Sequence, residues 1–183
     1  MLFRSIAANN VAGNLEGFCT MPIYAAEAAT VSFVGQNMGA GKYDRIGKVT
    51  KTAILFAVVL TFACSIVVFA NGNFFAGLFT NDEEVIKEAL YRAVWVLLPY
   101  CIYSVACVLD GVLRGMGNAV WPAAANFMCV CVFRVIWINT VWKMYPTREM
   151  IYIVYPMAWI MAGIVLTIMF FISVRRLKKG ELH

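Results

Sequence analysis

The chemistry available to this sequence lies in a few polar residues set among apolar ones. At about 100° per residue, Asn9, Glu16, Thr20, Glu27 and Thr30 fall on one face of a helix running through 10–38. A second face, within 92–113, collects Tyr100, Tyr103, Cys107, Asp110 and Arg114. Carboxylates placed this way can bind a cation or exchange a proton, and tyrosine rings add attraction for an organic cation through their π faces. The candidate substrate- and ion-binding residues are therefore Glu16, Thr20, Glu27, Tyr100, Tyr103 and Asp110. Each also has a packing reading. The first stripe could supply interhelical hydrogen bonds, worth about 0.6 kcal/mol each in a membrane, with Glu16 near the outer interface. Asp110 and Arg114 stand at i,i+4 and are expected to form an ion pair. Glu27 is the deeper carboxylate of its helix, and both readings stay open for it. Arg134 lies mid-span, with Asn126 and Asn139 in the same helix, and is expected to pair with a carboxylate on another helix.

Enzyme chemistry is not indicated. The single histidine is His183, on the tail, and no Ser/His or metal constellation stands at helical spacing. Cys19, Cys64, Cys101, Cys107, Cys129 and Cys131 all fall in apolar stretches without a CxxC pair, which reads as packing rather than metal or disulfide chemistry. Neither a catalytic residue nor a metal site nor a cofactor is expected.

The elements that position these residues follow from composition. Of 183 residues, 62% are hydrophobic and 14% charged, and the mean hydropathy is +0.77, far from a soluble domain with about a quarter of its residues charged. The solvent for such a chain is the lipid bilayer. Hydrocarbon cannot hydrogen-bond the backbone, so spans must be helices or closed barrels, and nothing here alternates as barrel strands do. Helical spans of about 20 apolar residues are expected at 52–70, 92–113, 119–142 and 150–174, with the less apolar 10–38 facing a bundle interior or a cavity. The fold class is all-α: one polytopic transmembrane helical bundle of about five spans, forming a single domain over 1–183.

Basic residues mark the cytoplasmic side. Lys42, Arg45, Lys48 and Lys51 follow the first span, whereas 80–90 carries Asp82, Glu83, Glu84 and Glu88 against Lys87. Arg114 and the tail RRLKKGELH return the chain to the cytoplasm, giving a multi-pass protein of the plasma or inner membrane with a cytoplasmic C-terminus. The net charge of +5 needs no nucleic acid, because anionic lipid attracts such border residues by about 1 kcal/mol each. The same alternation puts Met1 outside with no cleavable signal before it, so upstream helices are expected.

Local signals refine the picture. Thr80 followed by Glu83 predicts a capping box opening a helix near Asn81, continuing through a kink at Pro99. Pro22 and Pro122 predict kinks in their own helices. Two helix ends share the spacing G-x-x-x-G-x-G: Gly35, Gly39 and Gly41, then Gly111, Gly115 and Gly117. The first two glycines of each set share a helix face and allow close backbone approach; the third suits a left-handed C-cap. The spacing does not match a phosphate loop.

Taken in order, Val34-Gly35-Gln36-Asn37-Met38-Gly39-Ala40-Gly41-Lys42, Gly77-Leu78-Phe79-Thr80-Asn81-Asp82 and Gly111-Val112-Leu113-Arg114-Gly115-Met116-Gly117-Asn118 resemble the C-terminal lobe of the multidrug and toxic compound extrusion (MATE) transporters, with the match running through Arg134 to the basic tail. The resemblance implies the last five helices of a twelve-helix, two-lobe transporter that exports small organic cations in antiport with sodium or protons. It also implies a missing N-terminal lobe as partner, without which the chain is not expected to transport. No family ion-site carboxylate is carried over to Glu16, Glu27 or Asp110. The same superfamily holds lipid-linked oligosaccharide flippases, and a non-transporting membrane scaffold is the other alternative.

Overall fold

The computed structural model describes residues 2–178; Met1 and residues 179–183, Lys179 and His183 among them, lie outside the described residues. Among the described residues there are helices and turns and no strand. Helix α1 (Leu2–Gly39) is followed by a short 3₁₀ turn, Tyr43–Arg45, and α2 (Ile46–Ala70). A single-turn α3 (Gly72–Gly77) leads to α4 (Glu83–Leu97) and α5 (Tyr100–Gly115). The next passage is segmented into α6 (Val120–Asn126), a π-helical stretch Phe127–Val132, α7 (Phe133–Asn139) and α8 (Val141–Met144). Helix α9 (Arg148–Lys178) closes the bundle. By length and composition three helical passages, or four counting the bent pair α4–α5, can cross a membrane. Helix α1 has the length, at 38 residues, but is not among these passages. Its glutamates and asparagines set it apart from the apolar spans.

Helix α1 is central. Its buried residues Ala8, Ala12, Leu15, Cys19, Ile23, Ala26, Thr30 and Val34 recur every three or four positions, which is the spacing of a single helix face. That face packs against α2, α4 and α5, and α5 packs in turn against α9. Small residues bring α1 and α5 close together. A Cβ added at Gly111 would stand 2.8 Å from the Glu27 carbonyl oxygen, and one at Gly115 would stand 2.8 Å from Val34 Cβ and 2.9 Å from the Val31 carbonyl oxygen. Gly35 lies at ordinary contact distance from the Gly115 carbonyl, 3.8 Å, whereas nothing lies within 4 Å of a Cβ at Gly39. The close-approach reading therefore applies to Gly111 and Gly115 and fails for Gly39, which faces open space.

Both glycine-rich ends close by the same device. Gly41 and Gly117 take φ of +66° and +86°. At the first, the Gly41 N–H donates to the Met38 carbonyl and the Lys42 N–H to that of Asn37; at the second, the Gly117 N–H donates to Arg114 and the Asn118 N–H to Leu113. This is the Schellman arrangement, and it satisfies carbonyls that a helix end otherwise leaves without partners.

Two local expectations are corrected. The N-cap of α4 is Asp82, whose side chain accepts from the Glu84 N–H at 3.0 Å. Thr80 instead accepts from the Asp82 N–H at 3.2 Å, and no Thr80–Glu83 capping box forms, because the helix begins at Glu83 itself. Pro122 sits in the first turn of α6, where its missing N–H would have had no helical partner. The kink expected at Pro99 is present and sharp: α4 ends at Leu97, α5 begins at Tyr100, and the two meet at a bend of 51°. The break leaves the Leu97 carbonyl without its helical donor, and the buried Ser65 hydroxyl of α2 donates to it at 3.1 Å.

Candidate functional site

Helices α1, α5 and α9 and the passage from α6 to α7 surround a cavity of about 580 Å³. Helix α1 contributes Glu16, Thr20, Tyr24 and Glu27, and α5 contributes Tyr100, Tyr103, Cys107, Asp110 and Arg114. The α6–α7 passage adds Asn126, Cys131 and Arg134, and α9 adds Tyr155 and Trp159. Glu16, Thr20, Glu27, Tyr100, Tyr103 and Asp110 thus line one space. Two members of the α1 stripe lie elsewhere. Thr30 is buried and its hydroxyl donates to the Ala26 carbonyl at 2.7 Å, and Asn9 is held by Arg92.

The charges are arranged in two clasps, each joining α1 to the bent α4–α5 pair. In the first, Arg92 of α4 donates to Glu16 at 2.9 Å and to the Asn9 side chain at 2.7 Å. The Tyr100 hydroxyl donates to the other Glu16 oxygen at 3.2 Å. In the second, Arg114 is ion-paired with Glu27 of α1 and with Asp110, its i,i+4 neighbour, the latter at 2.8 Å. Asn126 donates to the remaining Asp110 oxygen at 2.8 Å. Two carboxylates share one guanidinium here, so with both ionised the second clasp has a net charge of −1. The side chains of Glu27 and Asp110 are only 15% and 11% exposed, so that charge is poorly hydrated and attracts a cation or a proton.

Between the clasps stands an aromatic cluster. Trp159 stacks on Tyr100 at 5.1 Å between ring centroids and contacts Tyr103 at 5.2 Å and Tyr155 at 6.0 Å. Tyr24 brings its hydroxyl within 3.5 Å of that of Tyr103. These rings present flat, polarisable surfaces to the cavity.

Arg134 departs from its expected pairing. Its guanidinium lies over the Tyr155 ring, 4.3 Å from the centroid, and its Nε is buried with no hydrogen-bond partner. The carboxylates facing the cavity are already held by Arg92 and Arg114, and none of the described carboxylates forms an ion pair with Arg134.

Sequence reasoning missed Arg92, Tyr24, Tyr155 and Trp159 as members of the site. Arg92 gave no periodic signal, because it lies on α4, across the Leu98–Pro99 break from the Tyr100 face of α5. Tyr155, Trp159 and Ala162 repeat at the four- and three-residue spacing of one face of α9, yet aromatic residues in an apolar helix give no contrast to mark them.

The MatE family model matches residues 4–138. The chain is 30% identical over 137 residues to Protein DETOXIFICATION 31 of Arabidopsis thaliana, covering 72% of this chain and 25% of that protein. It is 20% identical to Probable multidrug resistance protein YoeA of Bacillus subtilis, over 69% of this chain and 27% of the relative. With human Multidrug and toxin extrusion protein 1 the identity is 27%, over 51% of this chain and 16% of the relative. The chain spans about a quarter of the length of the curated relatives it matches. With its helical membrane bundle and a family match across most of its length, the chain belongs to the MatE family of multidrug extrusion transporters.

Proposed function

We propose that this chain forms one wall of the translocation cavity of a secondary active exporter, which moves organic cations out of the cell in exchange for sodium or protons. The observation that carries the reading is the second clasp, where Glu27 and Asp110 share Arg114. One negative charge is left over at membrane depth beside an aromatic cluster, and a sodium ion, a proton or an organic ammonium could each neutralise it. Binding one would displace another, and that competition is the basis of exchange. The names of the similar proteins, which speak of multidrug resistance, toxin extrusion and detoxification, support the substrate class. A second lobe completes the cavity in this proposal, because alternating access needs two bundles rocking about a site at their interface. The protein then sits in the plasma or inner membrane with its C-terminus in the cytoplasm.

The test is Glu27→Gln in the assembled two-lobe transporter, expressed in a drug-sensitive host. Export of a fluorescent organic cation should be lost while the amount of protein in the membrane stays normal. Unchanged efflux at matched expression would remove Glu27 from coupling and favour a scaffold role, which needs no titratable group.

A further inference from the structure

We infer that the groove between α1 and α2 holds an anionic phospholipid, with its phosphate at Lys48 and an acyl chain lying along the seam toward Leu60. This groove is separate from the cavity described above, and the inference does not depend on the export reading.

The groove has a volume of about 680 Å³, within the range of ligand-binding clefts, and it grades from polar to apolar along its length. On α2, Lys48, Thr52, Phe56 and Leu60 line it at intervals of four residues, the spacing that stacks side chains along one ridge. On α1, Pro22, Ala25, Ala29 and Phe33 line it. The short turn at 40–45 makes the two helices antiparallel, so Phe33 stands toward the Lys48 end and Pro22 toward the Leu60 end. Alanine side chains keep the α1 wall recessed, and the Phe33 and Phe56 rings are exposed. The Thr30 hydroxyl, also in the wall, is closed onto the Ala26 carbonyl, so the seam beyond Thr52 offers hydrocarbon and not hydrogen-bonding groups.

A single charge at one end of an apolar seam is complementary to an amphiphile with its own charge at one end. Lys48 and Leu60 are twelve residues apart, a rise of about 18 Å, close to the depth of one leaflet of a hydrocarbon core about 30 Å thick. An acyl chain entering at Lys48 therefore ends beside Leu60 near mid-membrane. Lys48 is exposed and, among the described residues, takes part in no ion pair. Lys42, Arg45 and Lys51 stand near it in sequence against the single acid Asp44, so the local field selects an anionic headgroup. Diffuse attraction to a membrane surface would act on all four basic residues alike. Of the four, Lys48 alone lines the groove.

Two lipids with the same acyl chains test this: dioleoylphosphatidylglycerol, an anion, and dioleoylphosphatidylcholine, which has no net charge. Each is titrated into the full chain in detergent, and native mass spectrometry counts the bound lipid. The unmodified chain should bind phosphatidylglycerol about fivefold more tightly than phosphatidylcholine, the effect of one lysine on an anionic group. Lys48→Gln should erase that preference while leaving phosphatidylcholine affinity within about twofold, and Lys48→Arg should retain it. Ala29→Phe, which fills the seam, should weaken both lipids by about tenfold by displacing buried methylenes. Lys143→Gln, which removes an exposed charge on α8, should change neither affinity. Equal affinity for the two lipids in the unmodified chain would overturn the site, and so would an equal loss of preference in Lys48→Gln and Lys143→Gln. Unaltered binding of both lipids by Ala29→Phe would also overturn it, because the acyl chain would then lie elsewhere. A dimer that Ala29→Phe returns to monomer, with lipid binding unchanged, would assign the groove to a second copy of the chain and likewise overturn the lipid site.

Discussion

Arg114→Gln isolates the energetics of the second clasp. In the native chain the group holds two carboxylates and one guanidinium, a net charge of −1; the substitution leaves −2. Glu27 and Asp110, with side chains 15% and 11% exposed, would then face each other without a cation. Removing one partner of a buried pair costs about 3–5 kcal/mol, chiefly as the penalty of an uncompensated charge. The Arg114 side chain is 39% exposed, so water shares part of its present role and the lower bound, about 3 kcal/mol, is the expected loss. Glu27→Gln should be milder, because it leaves the Asp110–Arg114 pair and its Asn126 hydrogen bond intact. The double variant Glu27→Gln/Arg114→Gln should be more stable than Arg114→Gln alone, a non-additivity that distant residues do not produce. Detergent-solubilised protein followed by size-exclusion chromatography after graded heating, with a denaturant titration for the energy scale, reads all three. An Arg114→Gln loss below about 0.5 kcal/mol, the range of an ordinary surface substitution, would refute the charge argument, and so would a double variant less stable than either single one.

Gly111→Ala and Gly115→Ala should each destabilise by about 1–3 kcal/mol through overpacking between α1 and α5, whereas Gly39→Ala should be close to neutral; equal effects at all three positions in the same heating assay would contradict the packing assignment. Asp82→Ala removes the N-cap of α4 and should cost about 1 kcal/mol, with faster amide exchange confined to the first turn of that helix; exchange spread along the whole helix would argue against a capping role. Membrane orientation is read by single cysteines in a background lacking the native ones. An impermeant thiol reagent added to intact cells should label Glu83→Cys and spare Arg45→Cys, and the reverse pattern would invert the topology.

The helical bundle and the polar lining were legible because each depends on contrast along the chain. A glutamate within an apolar run stands out, and helical periodicity assigns Glu16, Thr20 and Glu27 to one face without knowledge of any neighbour. Pairing depends on which helices meet, and periodicity is silent on that. Arg92 reaches Glu16 across 76 positions of sequence, and Asn126 serves Asp110 rather than its own helix neighbour Arg134. The expected carboxylate for Arg134 was a reasonable demand of electrostatics, but the carboxylates in reach were engaged by other arginines. At Thr80, Asp82 and Glu83 two capping solutions compete in the same few residues. The one adopted starts the helix later and uses the carboxylate next to it.

The hydrogen bond from Ser65 to the Leu97 carbonyl bears on how this bundle can move. At a broken helix in a membrane, the freed backbone group has no water to turn to. Because α2 supplies the donor, the elbow between α4 and α5 is anchored to a third helix. The two clasps pin both of its arms to α1. An elbow held at its apex and on both sides transmits torque instead of absorbing it. Forces applied at one end of the bundle would therefore turn α1, α2, α4 and α5 together as a single lever, and changes of angle would be displaced to the bundle's outer boundaries.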